Sequence, residues 1–70
     1  MKFEELSRSE IEHIIDEWIF NQRDRAILKR RLLDGIKFET LGEEFDLSVR
    51  RTKAIVYKQG DKLFKVIERL

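Results

Sequence analysis

The first third of the chain places its apolar residues at the spacing of one helical face. These positions are Ile11, Ile14, Ile15, Trp18 and Ile19. Counted from Ile11, they lie three, four, seven and eight residues along the chain, as an amphipathic helix requires. Ahead of them, Ser7 and Glu10 have the spacing of a capping box. The pattern predicts a helix that begins near residue 8 and ends near Phe20.

Two further helices are predicted between Asn21 and Phe45. Asn21 is a favourable N-cap for the second helix. Its inner face has Ile27, Leu28 and Leu32. Asp34-Gly35 is expected to end this helix, because glycine readily adopts the left-handed conformation found after helix C-termini. A short third helix over residues 38–45 is then expected to bury Phe38, Leu41 and Phe45.

The last predicted helix begins at Val49, after the cap Ser48, and contains a glycine. Gly60 could end it, but Val56, Leu63 and Ile67 fall on one face when each residue is rotated by about 100°. The apolar face therefore continues across Gly60, which favours one helix to the high sixties. The sequence predicts an all-α fold with four helices, in a single domain over residues 1–70.

Composition narrows the possible chemistry. The 70 residues include no cysteine, which excludes disulfides, thiolate catalysis and cysteine-based zinc sites. His13 has Glu10 and Glu17 one turn away on either side, for which an ion pair is favoured over a metal site. We expect neither an enzyme nor a cofactor. Because there is no long apolar run and no signal-peptide pattern at the start, we expect no membrane association and a cytoplasmic location.

Charge alternates in blocks along the chain. Residues 1–20 have six acidic and two basic side chains, and residues 21–37 have two acidic and six basic ones. Residues 38–48 contain four acids and no base, whereas residues 49–59 contain four bases and no acid. Such blocks can be solvated faces that pair with one another. The acid-free block at 49–59 instead indicates an anionic partner.

Residues 38–57 have the spacing of a helix-turn-helix. Gly42 lies where two steeply crossing helices would pass closest, a position that suits glycine or alanine. Thr52, Ile55 and Val56 then face inward on the second helix of the motif. Its other face would project outward, where such motifs enter the major groove of DNA.

The candidate DNA contacts follow from this arrangement. They are Lys37, Ser48, Val49, Arg50, Arg51, Lys53, Ala54, Tyr57 and Lys58. Arg50 and Lys53 are expected to contact bases or phosphates, and Lys37, Arg51 and Lys58 phosphates. Two interpretations stay open for Tyr57, which either lies on the DNA or covers the edge of the core. Arg31 is expected to pair with Glu43 or Glu44.

Residues 23–64 resemble region 4, the C-terminal domain of bacterial sigma-70 factors that reads the −35 promoter element. The similarity lies in Asp34-Gly35 after an arginine-rich helix, in Leu41-Gly42-Glu43, in Leu47-Ser48, and in a basic helix with Lys53 followed by Lys62-Leu63. Three positions depart from the family pattern: Asp46 stands at its turn glycine, Thr52 at its core valine or isoleucine, and Lys37 at the serine or threonine that usually precedes its third helix. The outward residues also differ from those of primary sigma factors, so no −35 sequence preference is transferred.

The resemblance implies a stand-alone, sigma-region-4-like protein of the kind found in phage and mobile-element regions of Gram-positive bacteria. The expected function is sequence-specific binding of double-stranded DNA in transcription regulation. The alternative is an interaction module that binds RNA polymerase or a sigma factor without contacting DNA, for which Trp18, Phe64 and Leu70 are the first candidate residues. Part of the C-terminal apolar cluster Phe64, Val66, Ile67 and Leu70 is expected to be exposed, for polymerase contact or weak homodimerisation.

Overall fold

The computed structural model describes residues 3–70, which contain helices and no strand. A short 3-10 turn, Phe3–Glu5, precedes α1 (Arg8–Trp18), α2 (Gln22–Asp34), α3 (Phe38–Phe45) and α4 (Val49–Glu68). The all-α, four-helix prediction is thereby confirmed. Three of the four helices have the predicted bounds, and α1 ends at Trp18, two residues before the predicted end at Phe20.

Side chains cap three helices at the predicted residues. The Ser7 hydroxyl accepts the Glu10 N–H while Glu10 accepts the Ser7 N–H, which completes the capping box. The Asn21 side chain accepts the Asp24 N–H, and the Ser48 hydroxyl accepts the Arg51 N–H. These bonds satisfy backbone donors that have no partner within the helix, so each helix start is specified locally.

One cluster of apolar side chains joins all four helices. Its most buried members are Ile15, Ile19, Ile27, Leu28, Leu41, Leu63 and Ile67. Trp18 was predicted on the same face but is 41% exposed, because it lies at the end of α1 beside an open groove, while Ile15 and Ile19 are fully buried. At the C-terminus, Ile67 is buried while Phe64 and Leu70 are exposed, so the predicted partial exposure of this cluster is confirmed.

Ion pairs connect α2 to the helices on either side. Arg8 of α1 pairs with Asp34 at 2.9 Å, and Asp16 of α1 pairs with Lys29 at 2.7 Å. The hydrogen bond from Lys29 lowers the pKa of Asp16 below its ordinary value. On the other side, Arg30 pairs with Glu44 of α3. The acidic blocks of α1 and α3 are therefore partly neutralised by α2.

The predicted pairing of Arg31 with Glu43 or Glu44 is wrong. Arg30 forms the ion pair with Glu44 instead. The Arg31 guanidinium donates a hydrogen bond to the carbonyl oxygen of Ile36 at 3.0 Å. Neighbouring residues point about 100° apart around a helix, so only one of the two arginines can face the acids of α3.

A buried carboxylate holds α4 against the start of α2. Asp24 is almost fully buried, and its carboxylate accepts a hydrogen bond from Gln59 of α4 at 2.8 Å. Arg23 donates to the other oxygen of the same carboxylate at 3.3 Å. The position at a helix N-terminus also favours a negative charge. The contact from Gln59 fixes the middle of α4 relative to the start of α2.

Gly60 lies within an unbroken α4, as the continuous apolar face predicted. A Cβ built at Gly60 meets nothing nearer than the Phe64 ring at 4.0 Å. Glycine in a helix interior is less favourable than alanine by roughly 1 kcal/mol. We therefore expect Gly60→Ala to stabilise the protein by about 0.5–1 kcal/mol, as measured by urea unfolding. A loss of stability would contradict the open space at this position.

Candidate nucleic-acid interface

A three-residue turn, residues 46–48, joins α3 to α4 and closes tightly on α3. Asp46 adopts the left-handed conformation with φ 56°, and the Leu47 N–H donates to the Gly42 carbonyl at 2.8 Å. A Cβ built at Gly42 would lie 2.6 Å from the Leu47 carbonyl oxygen, which is too close. The sequence pattern allowed glycine or alanine at position 42, whereas this geometry accommodates only glycine without a shift of the turn.

The inward face of α4 is the predicted one. Thr52 is fully buried, and Ile55 and Val56 are nearly so. The Thr52 hydroxyl donates a hydrogen bond to the Ser48 carbonyl oxygen at 2.8 Å. Because its polar group has this partner, Thr52 can be buried beside the apolar residues Ile55 and Val56. Packing of these three residues fixes which side of α4 faces outward.

The opposite side of α4 contains most of the predicted contact residues. Those that are exposed are Ser48, Arg50, Arg51, Lys53, Ala54, Tyr57 and Lys58, and Val49 is partly buried. Lys37 is also exposed, but it lies apart from them at the N-cap position of α3, where its side chain makes no capping bond. We call the exposed side of α4 over residues 48–58 the basic face.

Within residues 3–70, the four cations of the basic face make no ion pair. Arg50, Arg51, Lys53 and Lys58 have no carboxylate of a described residue within 4.0 Å. The cations of α2, by contrast, include Arg23, Lys29 and Arg30, which are all paired. The other two cations of α2, Arg25 and Arg31, donate to the carbonyl oxygens of Ile19 and Ile36. Among the described residues, ion pairs thus link α2 to α1 and to α3 but do not reach the basic face.

An aromatic contact supports one edge of the basic face. The Tyr57 ring packs edge-on against Phe38 of α3, with ring centroids 6.1 Å apart, and Tyr57 is nevertheless 63% exposed. The Lys53 ammonium lies 5.6 Å from the Phe38 centroid, and the Arg31 guanidinium lies 4.2 Å from it. Phe38 therefore positions Tyr57 and Lys53 together. Tyr57 covers part of the core edge and keeps most of its surface available to a ligand.

The structure adds one cation that the sequence pattern did not indicate. Arg23, in the first turn of α2, lines a shallow depression of about 130 Å³ together with Arg51 and Lys58. No local signal identifies Arg23, because its proximity to α4 depends on how α2 and α4 pack. Its pairing with Asp24 holds the guanidinium at this edge.

Acidic side chains border the other end of the basic face. Glu39, Glu43 and Asp46 line a depression that also contains Ser48 and Val49. These carboxylates would repel a polyanion at the start of α4. The surface potential should therefore change sign between the α3 side of the turn and the middle of α4.

Residues 3–70 show no group of three or more side chains placed to hold a metal ion. The His13 Nε2 lies 3.6 Å from the Glu17 Oε2, within the distance of the pairing that the sequence favoured over a metal site. None of the described helices is both long enough and apolar enough to cross a lipid bilayer.

Comparison with protein-family models, with curated protein sequences and with solved structures found no match to this chain.

Proposed function

We propose that residues 38–57 form a helix-turn-helix and that the chain binds double-stranded DNA in transcription regulation. The observation that carries this proposal is the basic face, where four exposed cations lack an intramolecular ion pair among the described residues. Unpaired cations on one helix face provide the electrostatic attraction on which DNA affinity depends. The helix itself is narrow enough to enter the major groove.

Individual roles follow from the positions along α4. Arg50 and Lys53 lie in the first two turns, where a recognition helix approaches base edges. Arg51, Lys58 and the added Arg23 are assigned to phosphates on one side, and Lys37 to a phosphate on the other. The Ser48 hydroxyl accepts the Arg51 N–H and can donate its own proton to a phosphate oxygen.

The similarity to sigma region 4 supports the same function through local geometry. Gly35 adopts the left-handed conformation at the end of α2, and Asp46 does so in the turn where that family has glycine. Thr52 stands where the family has an aliphatic residue, and its buried hydroxyl donates a hydrogen bond to the Ser48 carbonyl oxygen. The departures at Asp46 and Thr52 are thus compatible with the helix-turn-helix that we propose, whereas the third, Lys37, leaves the start of α3 without a side-chain cap.

The decisive experiment is a salt series on binding to a labelled duplex, read by fluorescence anisotropy. Neutralisation of four to six phosphates predicts that log affinity falls with log salt concentration at a slope of about −4 to −5. Absence of binding to any duplex, or binding that ignores salt, would exclude the proposed function.

Lys58→Ala should weaken binding to all duplex sequences to a similar degree. Because Lys58 is assigned to a phosphate, its loss should also reduce the magnitude of the salt slope by about 1. The matched control is Lys65→Ala, since Lys65 lies on the C-terminal half of α4 and pairs with Asp61 at 3.1 Å. An equal effect of both variants would show that net charge alone governs the binding.

Glu43→Gln should strengthen DNA binding, because it removes a carboxylate beside the start of α4. An exposed charge contributes roughly 0.2–1 kcal/mol, which corresponds to an increase in affinity of about 1.5- to 5-fold at low salt. Glu68→Gln, at the far end of α4, serves as the control and should leave the affinity unchanged. A gain that persists undiminished at high salt would argue against an electrostatic cause.

The second candidate function is that of an interaction module for RNA polymerase or a sigma factor. Exposure of Trp18, Phe64 and Leu70 favours it, since these large apolar side chains are only partly covered. A single small DNA-binding module buries roughly 600–1,000 Å², so a protein contact or weak dimerisation would also supply missing affinity. A pull-down on core polymerase, together with light scattering with and without DNA, distinguishes these routes.

A further inference from the structure

A groove separate from the basic face lies between α1 and the C-terminus. It has a volume of about 500 Å³, and Leu6, Ile14, Trp18 and Leu70 supply its apolar surface. Trp18 and Leu70 are 41% and 64% exposed, so the groove is open to solvent. A cluster of large exposed apolar side chains often marks a surface that another protein covers.

The wall of this groove is anionic. Glu10 and Glu17 line it from α1, two turns apart, with His13 between them at 3.6 Å from Glu17, and no Lys or Arg of the described residues lines it. The hydrogen bond from the Ser7 N–H lowers the pKa of Glu10, so its carboxylate is charged at neutral pH. Arg8, the basic residue of α1, is directed away toward Glu12 and Asp34.

We propose that this groove binds a cationic amphipathic helix of a partner protein, with apolar side chains against Trp18 and Leu70 and Lys or Arg beside Glu10 and Glu17. Charge complementarity selects this occupant. A second copy docked symmetrically through the same groove would place the carboxylates of both copies together, which is unfavourable. An apolar helix face with residues at i, i+3, i+4 and i+7 is the shape that such grooves accept.

Trp18 reports on the groove directly, because it is the only tryptophan of the chain. The probe is a synthetic 18-residue helical peptide with leucine on one face and lysine on the other, compared with a peptide in which glutamate replaces every lysine. We expect saturable binding of the lysine peptide with a blue shift of Trp18 emission, and at least tenfold weaker binding of the glutamate peptide. Equal binding of both peptides, or no binding of the lysine peptide, would overturn the proposal.

Two charge-reversal variants separate the groove from the general acidity of the protein. Glu17→Lys should weaken binding of the lysine peptide at least tenfold, whereas Glu43→Lys, on α3, should leave it within about twofold. Both side chains are exposed, and circular dichroism checks that each variant folds. Equal loss in both variants would assign the binding to net charge.

Leu70→Ala tests the apolar part of the groove. It should weaken binding of the lysine peptide about fivefold or more, and it leaves the charge of the protein unchanged. An unchanged affinity would place the peptide elsewhere. A blue shift of Trp18 emission that grows with protein concentration in the absence of peptide would identify a second copy of the chain as the occupant. That result would overturn the proposal. Since the groove lies apart from the basic face, the DNA titration of Glu17→Lys shows separately whether DNA binding is retained.

Discussion

Replacing both Arg50 and Lys53 by alanine is expected to abolish sequence-specific DNA binding while the fold remains intact. Each side chain contributes roughly 1–3 kcal/mol if it makes a good contact to a base edge, so the two together correspond to a loss of about 30-fold or more. Both side chains are exposed and unpaired among the described residues. Their removal should therefore leave the free energy of unfolding nearly unchanged.

The measurement needs a duplex selected by the protein itself from a random-sequence library. The single and double variants are then compared on this duplex and on an unrelated one by anisotropy. Loss of the difference between the two duplexes is the expected result. Lys62→Ala is the control, because Lys62 lies in the C-terminal half of α4 near the Phe20 ring and outside the basic face. Retained discrimination in the double variant would show that α4 does not read sequence.

Gly42→Ala is expected to destabilise the protein by about 2 kcal/mol, although alanine is normally the better helix former. The new Cβ would lie 2.6 Å from the Leu47 carbonyl oxygen, which belongs to the backbone and cannot rotate away. The turn would have to move, and the hydrogen bond from the Leu47 N–H to the Gly42 carbonyl would be strained. For a domain of this size, the melting temperature should fall by roughly 10 °C.

Thermal and urea unfolding of Gly42→Ala beside Gly60→Ala provide the comparison. Both substitutions add one methyl group to a buried helical glycine, but only position 42 lacks space for it. Opposite signs of the two changes in stability would demonstrate the close approach of the turn to α3. If Gly42→Ala were as stable as the parent, the tight α3–α4 contact described here would be wrong.

Helix starts were predictable from the sequence because capping is a local interaction. Ser7, Asn21 and Ser48 each bond to a backbone N–H three residues further along, and the required partners are adjacent in the sequence. Helical periodicity likewise identified the inward residues of α4, including the continuation across Gly60. The end of α1 was less well determined, because Ile19 keeps the apolar spacing of the helix and is fully buried, yet its backbone is already extended.

Pairing of charges could not be read from the sequence. The choice of Arg30 rather than Arg31 as the partner of Glu44 depends on the rotation of α2 relative to α3. The same rotation leaves Arg31 against Phe38. Moving one residue along a helix turns the side chain by about 100°. The block pattern of charges in the sequence cannot show which of two neighbouring arginines faces a given acid.

The sequence by itself determined an all-helical chain with its caps, its inward faces and an acid-free stretch at residues 49–59, because each of these depends on residues within about two helical turns. Only the tertiary structure decided that the cations of this stretch have no ion pair among the described residues, that Arg23 lies beside Arg51 and Lys58, and that Trp18 faces an open groove instead of the core. These features depend on how separate helices cross and rotate against one another. That arrangement is fixed by packing of the whole core and has no signature in any single segment.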